Sequence, residues 1–384
     1  MDFTLPEELK MLKDNLRRYV DKEMIPFERE SVTPDEELKP EWRVKFEQGM
    51  KDLGLWMYDV PEEYGGLGLG IMTRCIIWEE MARTIALPAR HASITGPSVR
   101  AILYDLPPML KDKYLYPVLR GEKHACFGQT EPEAGSDPGS MRTTAVRDGD
   151  HYVINGMKRF ITGAHHADFI QLMAATDRSK GSRGGISCFL VDMDTPGVKI
   201  TARYQTMMGD RPCEIVFDNV RVPADHRVGE EGEGFKFGQK WLGVGRLHHA
   251  ARALGVAERC LEMASSYAKQ RVTFGEPLSK RQSIQWMLVD SYIDIKAARL
   301  MVWEAANKMD AGQDVRNDAY ICKVFADEMA FKVADRCMQI HGGIALTTDL
   351  PIERMWRQQR SYRITEGATE VMKMVIARHV LKTY

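Results

Sequence analysis

The sequence predicts an α+β protein laid out in the order helical, β, helical. Three observations carry this. Apolar residues recur at helical spacing from the start to about residue 120, and short β-rich runs between turn dipeptides replace that period from roughly 121 to 228. After a glycine-rich link at Gly229, Gly232 and Gly234 the helical period returns and persists to the end. At 384 residues the chain exceeds one ordinary core, so domains at 1–120, 121–228 and 229–384 are expected.

In the first third, Leu9, Leu12, Leu16, Tyr19 and Val20 fall on one helical face. In the middle, Asp148-Gly149, Asn155-Gly156 and Pro196-Gly197 read as turns. Between them lie Tyr152–Ile154 and Ile186–Val191, and the stretch from Ile215 to Val222 alternates in part, as strands do. A compact β domain follows. In the last third one helix carries Leu247, Ala251, Leu254, Ala257, Leu261 and Ala264. A second carries Ile284, Leu288, Tyr292, Ile295, Val302 and Met309, and a third Ile321, Val324, Met329, Val333, Cys337 and Ile340. With Val371 to Leu381 they predict an antiparallel four-helix bundle.

Composition removes several function classes. Lys plus Arg number 53 against 54 Asp plus Glu, with no dense basic stripe, so a nucleic-acid partner is not expected. The seven cysteines are scattered without a CxxC pair and read as buried thiols in a reducing compartment. No apolar run is long enough for a bilayer, and the start lacks the layout of a signal peptide. A cytoplasmic protein is expected; a mature organellar chain reads the same way.

The glycine clusters at Gly65–Gly70 and Gly229–Gly234 do not fit G-x-G-x-x-G and read as loops. The pairs His165-His166 and His248-His249 are adjacent in sequence, so on a strand or helix their members point apart, and no metal site is expected.

One segment carries a specific signal. Phe127-Gly128-Gln129-Thr130-Glu131-Pro132-Glu133-Ala134-Gly135-Ser136-Asp137 resembles the T-E-P-x-A-G-S-D signature of the acyl-CoA dehydrogenase family. Further likenesses follow in family order along almost the whole chain. Val60–Gly66 is similar to V-P-E-E-Y-G-G, and Lys158–Thr162 resembles K-x-W-I-T with Phe160 in place of Trp. Phe217–Pro223 is similar to F-D-N-V-R-V-P, Arg271–Gly275 with Leu278 and Gln282 to R-x-x-F-G-x-x-L-x-x-x-Q, and Gln339–Gly343 to Q-x-x-G-G.

The resemblance implies a helical domain, a β-barrel-like middle domain and a helical bundle around FAD. It assigns Phe127, Gln129, Thr130, Phe160, Thr162 and Thr369 to the cofactor, and Ser136, Arg246 and Gly367 to the substrate. Arg271, Phe274, Gln282, Gln339, Gly342 and Gly343 are implied to reach the FAD of a neighbouring subunit, the guanidinium offering a fixed fork to a diphosphate. A homo-oligomer, dimer or tetramer, is therefore implied. So are an acyl-CoA substrate and an electron-transfer flavoprotein as acceptor.

Dehydrogenation needs a base for a weakly acidic α C–H, and a carboxylate suits it once desolvation raises its pKa. In the family the base comes from a glutamate in an E-G-[TS] turn before the last helix, or from one just ahead of an arginine in the first bundle helix. Here the first place reads Thr365-Glu366-Gly367-Ala368 and the second Val244-Gly245-Arg246. Gly245 cannot be a base, which leaves Glu366. Gly367 lets the chain turn so that the Glu366 backbone N–H points at the thioester oxygen. Departures are Thr365 where relatives carry an aromatic, Ala368 for Thr or Ser, and Gly243 where some relatives have an aspartate. Arg246-Leu247-His248-His249 resembles a G-R-[IL]-H-H start in a less characterised branch, its histidines read as helix-start polarity. An enoyl-CoA reductase, an acyl-CoA oxidase and a non-catalytic scaffold are the alternatives on this fold.

Overall fold

The structure, a computed structural model, describes residues 4–33, 35, 37–87 and 93–384, the side chains of 238–242 excepted. Two compact units emerge, Met50–Gly66 with Arg90–Leu242, and Met1–Gly49 with Leu67–Ala89 and Gly243–Tyr384. The helical first third contributes to both.

The β unit holds β1 (Ala125–Gly128), β2 (Thr144–Asp148), β3 (His151–Ile161), β4 (Phe169–Ala175), β5 (Ile186–Asp192), β6 (Val198–Arg203), β7 (Cys213–Pro223) and β8 (Arg227–Val228). They form one sheet in the order β6-β7-β3-β2-β4-β5-β8, with β1 parallel to β4. Its halves meet at a single pair, Thr144 with Ala175. Tyr152, Ile154, Phe217 and Val222 of one half share a core with Leu172, Ala174, Phe189 and Val191 of the other. The sheet therefore curls over itself, which gives the barrel-like form. Side chains alternate along β4: Ile170, Leu172 and Ala174 face this core, while Phe169 and Met173 face a second one with Leu110, Tyr114 and Leu115. Both faces are covered, so β4 is buried along its whole length.

Asp148-Gly149 and Pro196-Gly197 do turn the chain, each glycine taking positive φ. Asn155-Gly156 does not. It lies inside β3, at a register shift against β7 where Gly156 has φ 149°. A side chain there would meet Thr143, so the dipeptide bends a strand through a bulge rather than ending it.

The helical unit is built from α1 (Glu7–Tyr19), α2 (Pro40–Asp52, whose last turn runs into the β unit) and α3 (Ile71–Met81). To these it adds α4 (Gly234–Gln270, from Gly243 onward), α5 (Gln282–Asp310), α6 (Arg316–His341), α7 (Ile352–Tyr362) and α8 (Thr369–Thr383). Helix α6 packs on α5, α7 and α8, while α3 packs on α5 and α1. Helix α4 approaches α3 closely, since a Cβ on Gly255 would collide with the Glu79 carbonyl. The first amides of α3, Ile71 N–H and Met72 N–H, donate to the Asp310 carboxylate at 2.6 and 2.8 Å. A carboxylate at a helix start satisfies orphan donors and meets the positive end of the dipole.

The four predicted bundle helices are present as α4, α5, α6 and α8, and α7 is a fifth that the periodicity missed. Its buried face mixes Ile352, Met355 and Tyr362 with Arg354, Gln358 and Gln359, so the apolar repeat is thin.

Candidate active site

In the β unit the loop after β1 is held by a buried ion pair. Glu131 accepts from the Arg142 and Thr143 amides at 2.6 and 3.0 Å and from Lys158 Nζ at 2.7 Å. Lys158 Nζ also donates to the Gln129 carbonyl at 3.1 Å, and Arg159 N–H to that of Thr130 at 2.9 Å. Burial alone would raise the Glu131 carboxyl, but Lys158 and the other donors hold it below the usual range. Burial pulls the Lys158 ammonium down to about 8 against the pull of Glu131.

The loop is thus pinned to β3. Gln129 and Thr130 are half-buried, Ser136 is exposed, and Phe127 lies half-buried with the Arg100 guanidinium 5.4 Å from its ring centre. Near the end of β3, Phe160 takes φ 60° and is 53% exposed beside the Tyr204 ring at 5.2 Å. A left-handed backbone is costly for an aromatic residue, and it presents this ring outward. Thr162 follows, half-buried. An outward ring beside a pinned loop of amides and hydroxyls fits a flat, acceptor-rich flavin.

In the helical unit a hairpin, β9 (Val272–Thr273) with β10 (Glu276–Pro277), joins α4 to α5. Its tip residue Phe274 has φ 50° and is 97% exposed, and Arg281 clamps the hairpin by donating to the Thr273 carbonyl at 2.6 Å. Arg271, Gln282, Gln339, Gly342 and Gly343 are exposed, and nothing stands within 4 Å of a Cβ built on either glycine. A guanidinium fork and bare backbone fit a diphosphate.

The turn between α7 and α8 carries Glu366 at φ 55° and Gly367 at φ 105°. Its ends are stitched together. Lys323 Nζ, buried on α6, donates to the Tyr362 carbonyl at 2.9 Å and the Gly367 carbonyl at 3.2 Å, and lies 3.0 Å from Asp327. Thr369 is buried, its N–H and hydroxyl donating to the Arg363 carbonyl at 3.0 and 3.4 Å. Burial raises the Asp327 carboxyl, with Lys323 and His249 opposing.

Glu366 keeps 35% of its side chain exposed, and its Oε2 lies 3.4 Å from His249 Nε2. The His249 ring packs on Tyr362, centres 4.6 Å apart. One turn earlier on α4, Arg246 is buried with its guanidinium 4.1 Å from the Tyr320 ring centre. Burial lowers its pKa, with Tyr320 and Glu366 pulling the other way. His248 points elsewhere, edge-on to Trp78 at 4.8 Å. Desolvation first, and then Arg252 and His249, push it down to about 3.

Two readings of the histidines need correction. Both His248 and His249 lie well inside α4, so they do not serve helix-start polarity. Their rings do diverge, 6.3 Å apart and near perpendicular, but those of His165 and His166 approach to 3.9 Å. That second pair sits on a 3-10 turn, Ala164–His166. Sequence reasoning passed over Glu131, Lys158, His249, Lys323 and Asp327 as functional. Lys323 had a readable signal, a lysine among Ala319, Cys322, Ala326 and Ala330 on the buried stripe of α6.

Comparison with known proteins matches three descriptions in order: acyl-CoA dehydrogenase N-terminal domain over residues 6–122, middle domain over 126–220 and C-terminal domain over 232–381. The mouse mitochondrial short-chain specific acyl-CoA dehydrogenase is 35% identical, over 99% of this chain and 92% of its own. The 3-(aryl)acrylate reductase of Clostridium sporogenes is 37% identical, over 98% of this chain and 99% of its own. The three-dimensional structure of Megasphaera elsdenii butyryl-CoA dehydrogenase superposes with a TM-score of 0.85 at 33% identity, over 99% of this chain and 100% of its own. With every domain matched along its length, this chain belongs to the acyl-CoA dehydrogenase family of FAD-dependent oxidoreductases.

Proposed function

We propose that the protein removes the α proton and β hydride of an acyl-CoA thioester, giving the trans-2-enoyl-CoA and passing electrons to an electron-transfer flavoprotein. The observation that carries this is Glu366: a carboxylate on a left-handed turn, 35% exposed, with Lys323 bonded to the Tyr362 and Gly367 carbonyls on either side of it. Gly245 leaves the alternative position without a base. Glu366 takes the α proton, and its backbone N–H donates to the thioester oxygen as enolate charge develops. Arg246 and Gly367 of the helical unit are assigned to the acyl-CoA, as is Ser136 of the β unit. FAD, assigned to the pinned loop with Phe127, Phe160 and Thr162 in the β unit and to Thr369 in the helical unit, would supply the hydride acceptor. Arg271, Phe274, Gln282, Gln339 and the Gly342-Gly343 pair serve the FAD of a second copy in a dimer or tetramer.

Thr365 is half-buried and smaller than the aromatic implied there, so the pocket admits a branched or cyclic acyl group. Methylene-scale differences in such pockets are worth about 1–3 kcal/mol, so substrates overlap. The seven free, buried cysteines suit a reducing compartment, and we assign the protein to the cytoplasm. No helix among the described residues is long and apolar enough to cross a membrane.

The test is a visible spectrum of the purified protein, then anaerobic titration with butyryl-, isobutyryl-, cyclohexanecarbonyl- and octanoyl-CoA. A yellow protein bleached by one or more of them, with octanoyl-CoA not preferred, is expected. A colourless protein that FAD does not reconstitute, or a yellow one that no acyl-CoA bleaches, contradicts the proposal. The relation to a 3-(aryl)acrylate reductase favours one second reading, the reverse reaction, in which protonated Glu366 returns the α proton. Faster reoxidation of the photoreduced enzyme by crotonyl-CoA than bleaching of the oxidised enzyme by butyryl-CoA would support it.

A further inference from the structure

We infer that His249 is a positioning residue for Glu366, donating from Nε2 to the carboxylate so that it stays ionised and aimed before it takes the substrate proton. The inference rests on the assignment of Glu366 as base, and it concerns a residue that the base motif itself does not contain.

Arg246 and His249 are three residues apart on α4 and so share a face. Both interact with the Glu366 carboxylate, His249 by direct approach at 3.4 Å and Arg246 through its charge. His249 is 7% exposed and wedged by the Tyr362 ring, so its imidazole has little freedom to turn. Its other nitrogen, Nδ1, is buried with no hydrogen-bond partner among the described residues. If Nδ1 carried the proton, a donor would be stranded in the interior while Nε2 turned a lone pair toward a carboxylate. The opposite tautomer puts Nε2–H on Glu366 and leaves only an acceptor unmet, the less costly choice.

The surroundings are crowded with charge from three sides. On α4 stand Arg246, His248 and Arg252; on α6, Tyr320, Lys323 and Asp327; at the end of α7, Tyr362. Lys323 is engaged with Asp327 and with the Tyr362 and Gly367 carbonyls. Arg246 is stacked on Tyr320. His249 Nε2 comes to the carboxylate from the α4 side, 3.4 Å from its Oε2. A donor on that side helps a carboxylate on a strained, partly exposed turn to hold one direction.

Removing the donor destabilises the ionised form of Glu366, so the acid limb of the reaction moves to higher pH. The experiment compares wild type, His249→Phe, His249→Ala and His249→Gln, each as FAD-loaded enzyme. Flavin bleaching is followed by rapid mixing from pH 5 to 9 with whichever acyl-CoA bleaches the wild type fastest. His249→Phe and His249→Ala are expected to move the acid limb upward by about one pH unit, the shift that loss of one donor to a carboxylate brings. At pH 6 bleaching then falls about tenfold, and at pH 9 it approaches the wild type. His249→Gln, which keeps an N–H near the same place, is expected to retain the wild-type limb.

An unmoved limb in His249→Ala, or a His249→Gln limb displaced as far as that of Ala, overturns the inference. The Ala variant decides the matter where Phe does not fold. Glu366→Gln in the same series separates the two claims. If it bleaches normally the base assignment itself falls, whereas a dead Glu366→Gln beside an unmoved His249→Ala limb leaves the base and removes only His249.

Discussion

Two neighbouring histidines of α4 show how one residue's turn on a helix decides its chemistry. His249 faces Glu366, whereas His248 faces Trp78 and is pushed down to about 3 from its ordinary 6.5. Because the folded value is the lower one, the unfolded chain takes up this proton at a higher pH than the folded chain does. The stability attached to neutral His248 is therefore complete above about 6.5 and is lost as pH falls from there toward 3. Urea unfolding between pH 7 and 4 should show a shallower loss of stability in His248→Gln than in the wild type; parallel slopes would contradict it. At this scale Glu366, Gly245 and Arg246 were candidates from the sequence because their motif is local. His249 was not, since its role depends on a turn more than a hundred residues away folding against its side of α4.

Charge buried between helices is the feature that elements add. Glu28 accepts from Arg259 twice at 2.7 Å, from Thr84 Oγ1 at 3.1 Å and from Ile85 N–H at 3.1 Å, both ionic partners lying buried. Glu79 of α3 similarly meets Lys13 of α1 at 2.8 Å and Arg299 of α5 at 2.9 Å. Arg259→Leu strands the Glu28 carboxylate and should cost about 3–5 kcal/mol in urea unfolding. A loss under 1 kcal/mol would show that the carboxylate finds water instead. Helices α4, α5, α6 and α8 could be read from apolar period alone, but these ion pairs could not, because each joins residues far apart in the chain. The same limit hid α7, whose buried face is half polar, and it made Asn155-Gly156 look like a turn when Thr143 across the sheet makes it a bulge.

For the molecule as a whole, the informative surface is α5. Trp286, Val289, Tyr292 and Ile293 are each more than half exposed on it, and Phe274 stands bare on the hairpin before it. Apolar area of this kind marks an interface, as the proposed sharing of FAD between copies asks. Trp286→Glu combined with Tyr292→Glu should lower the mass seen by light scattering and release FAD on gel filtration, since Arg271 and Gln339 are proposed to serve a second copy's cofactor. A monomer that keeps its FAD as firmly as the wild type would detach these residues from that role. The order helical, β, helical was readable from the change of period. The rolled sheet was implied by the family resemblance and not by the period, for it follows from long-range pairing such as Thr144 with Ala175.

The claim that joins these scales is that Glu366 removes the substrate α proton. Glu366→Gln is nearly isosteric and can keep the turn, the FAD and acyl-CoA binding, yet the amide cannot accept a proton. Rapid mixing of the oxidised variant with the best acyl-CoA, followed in the visible flavin band, tests this most directly. Bleaching slowed by several orders of magnitude, with FAD content and acyl-CoA affinity unchanged, is the predicted result; near-normal bleaching would contradict it.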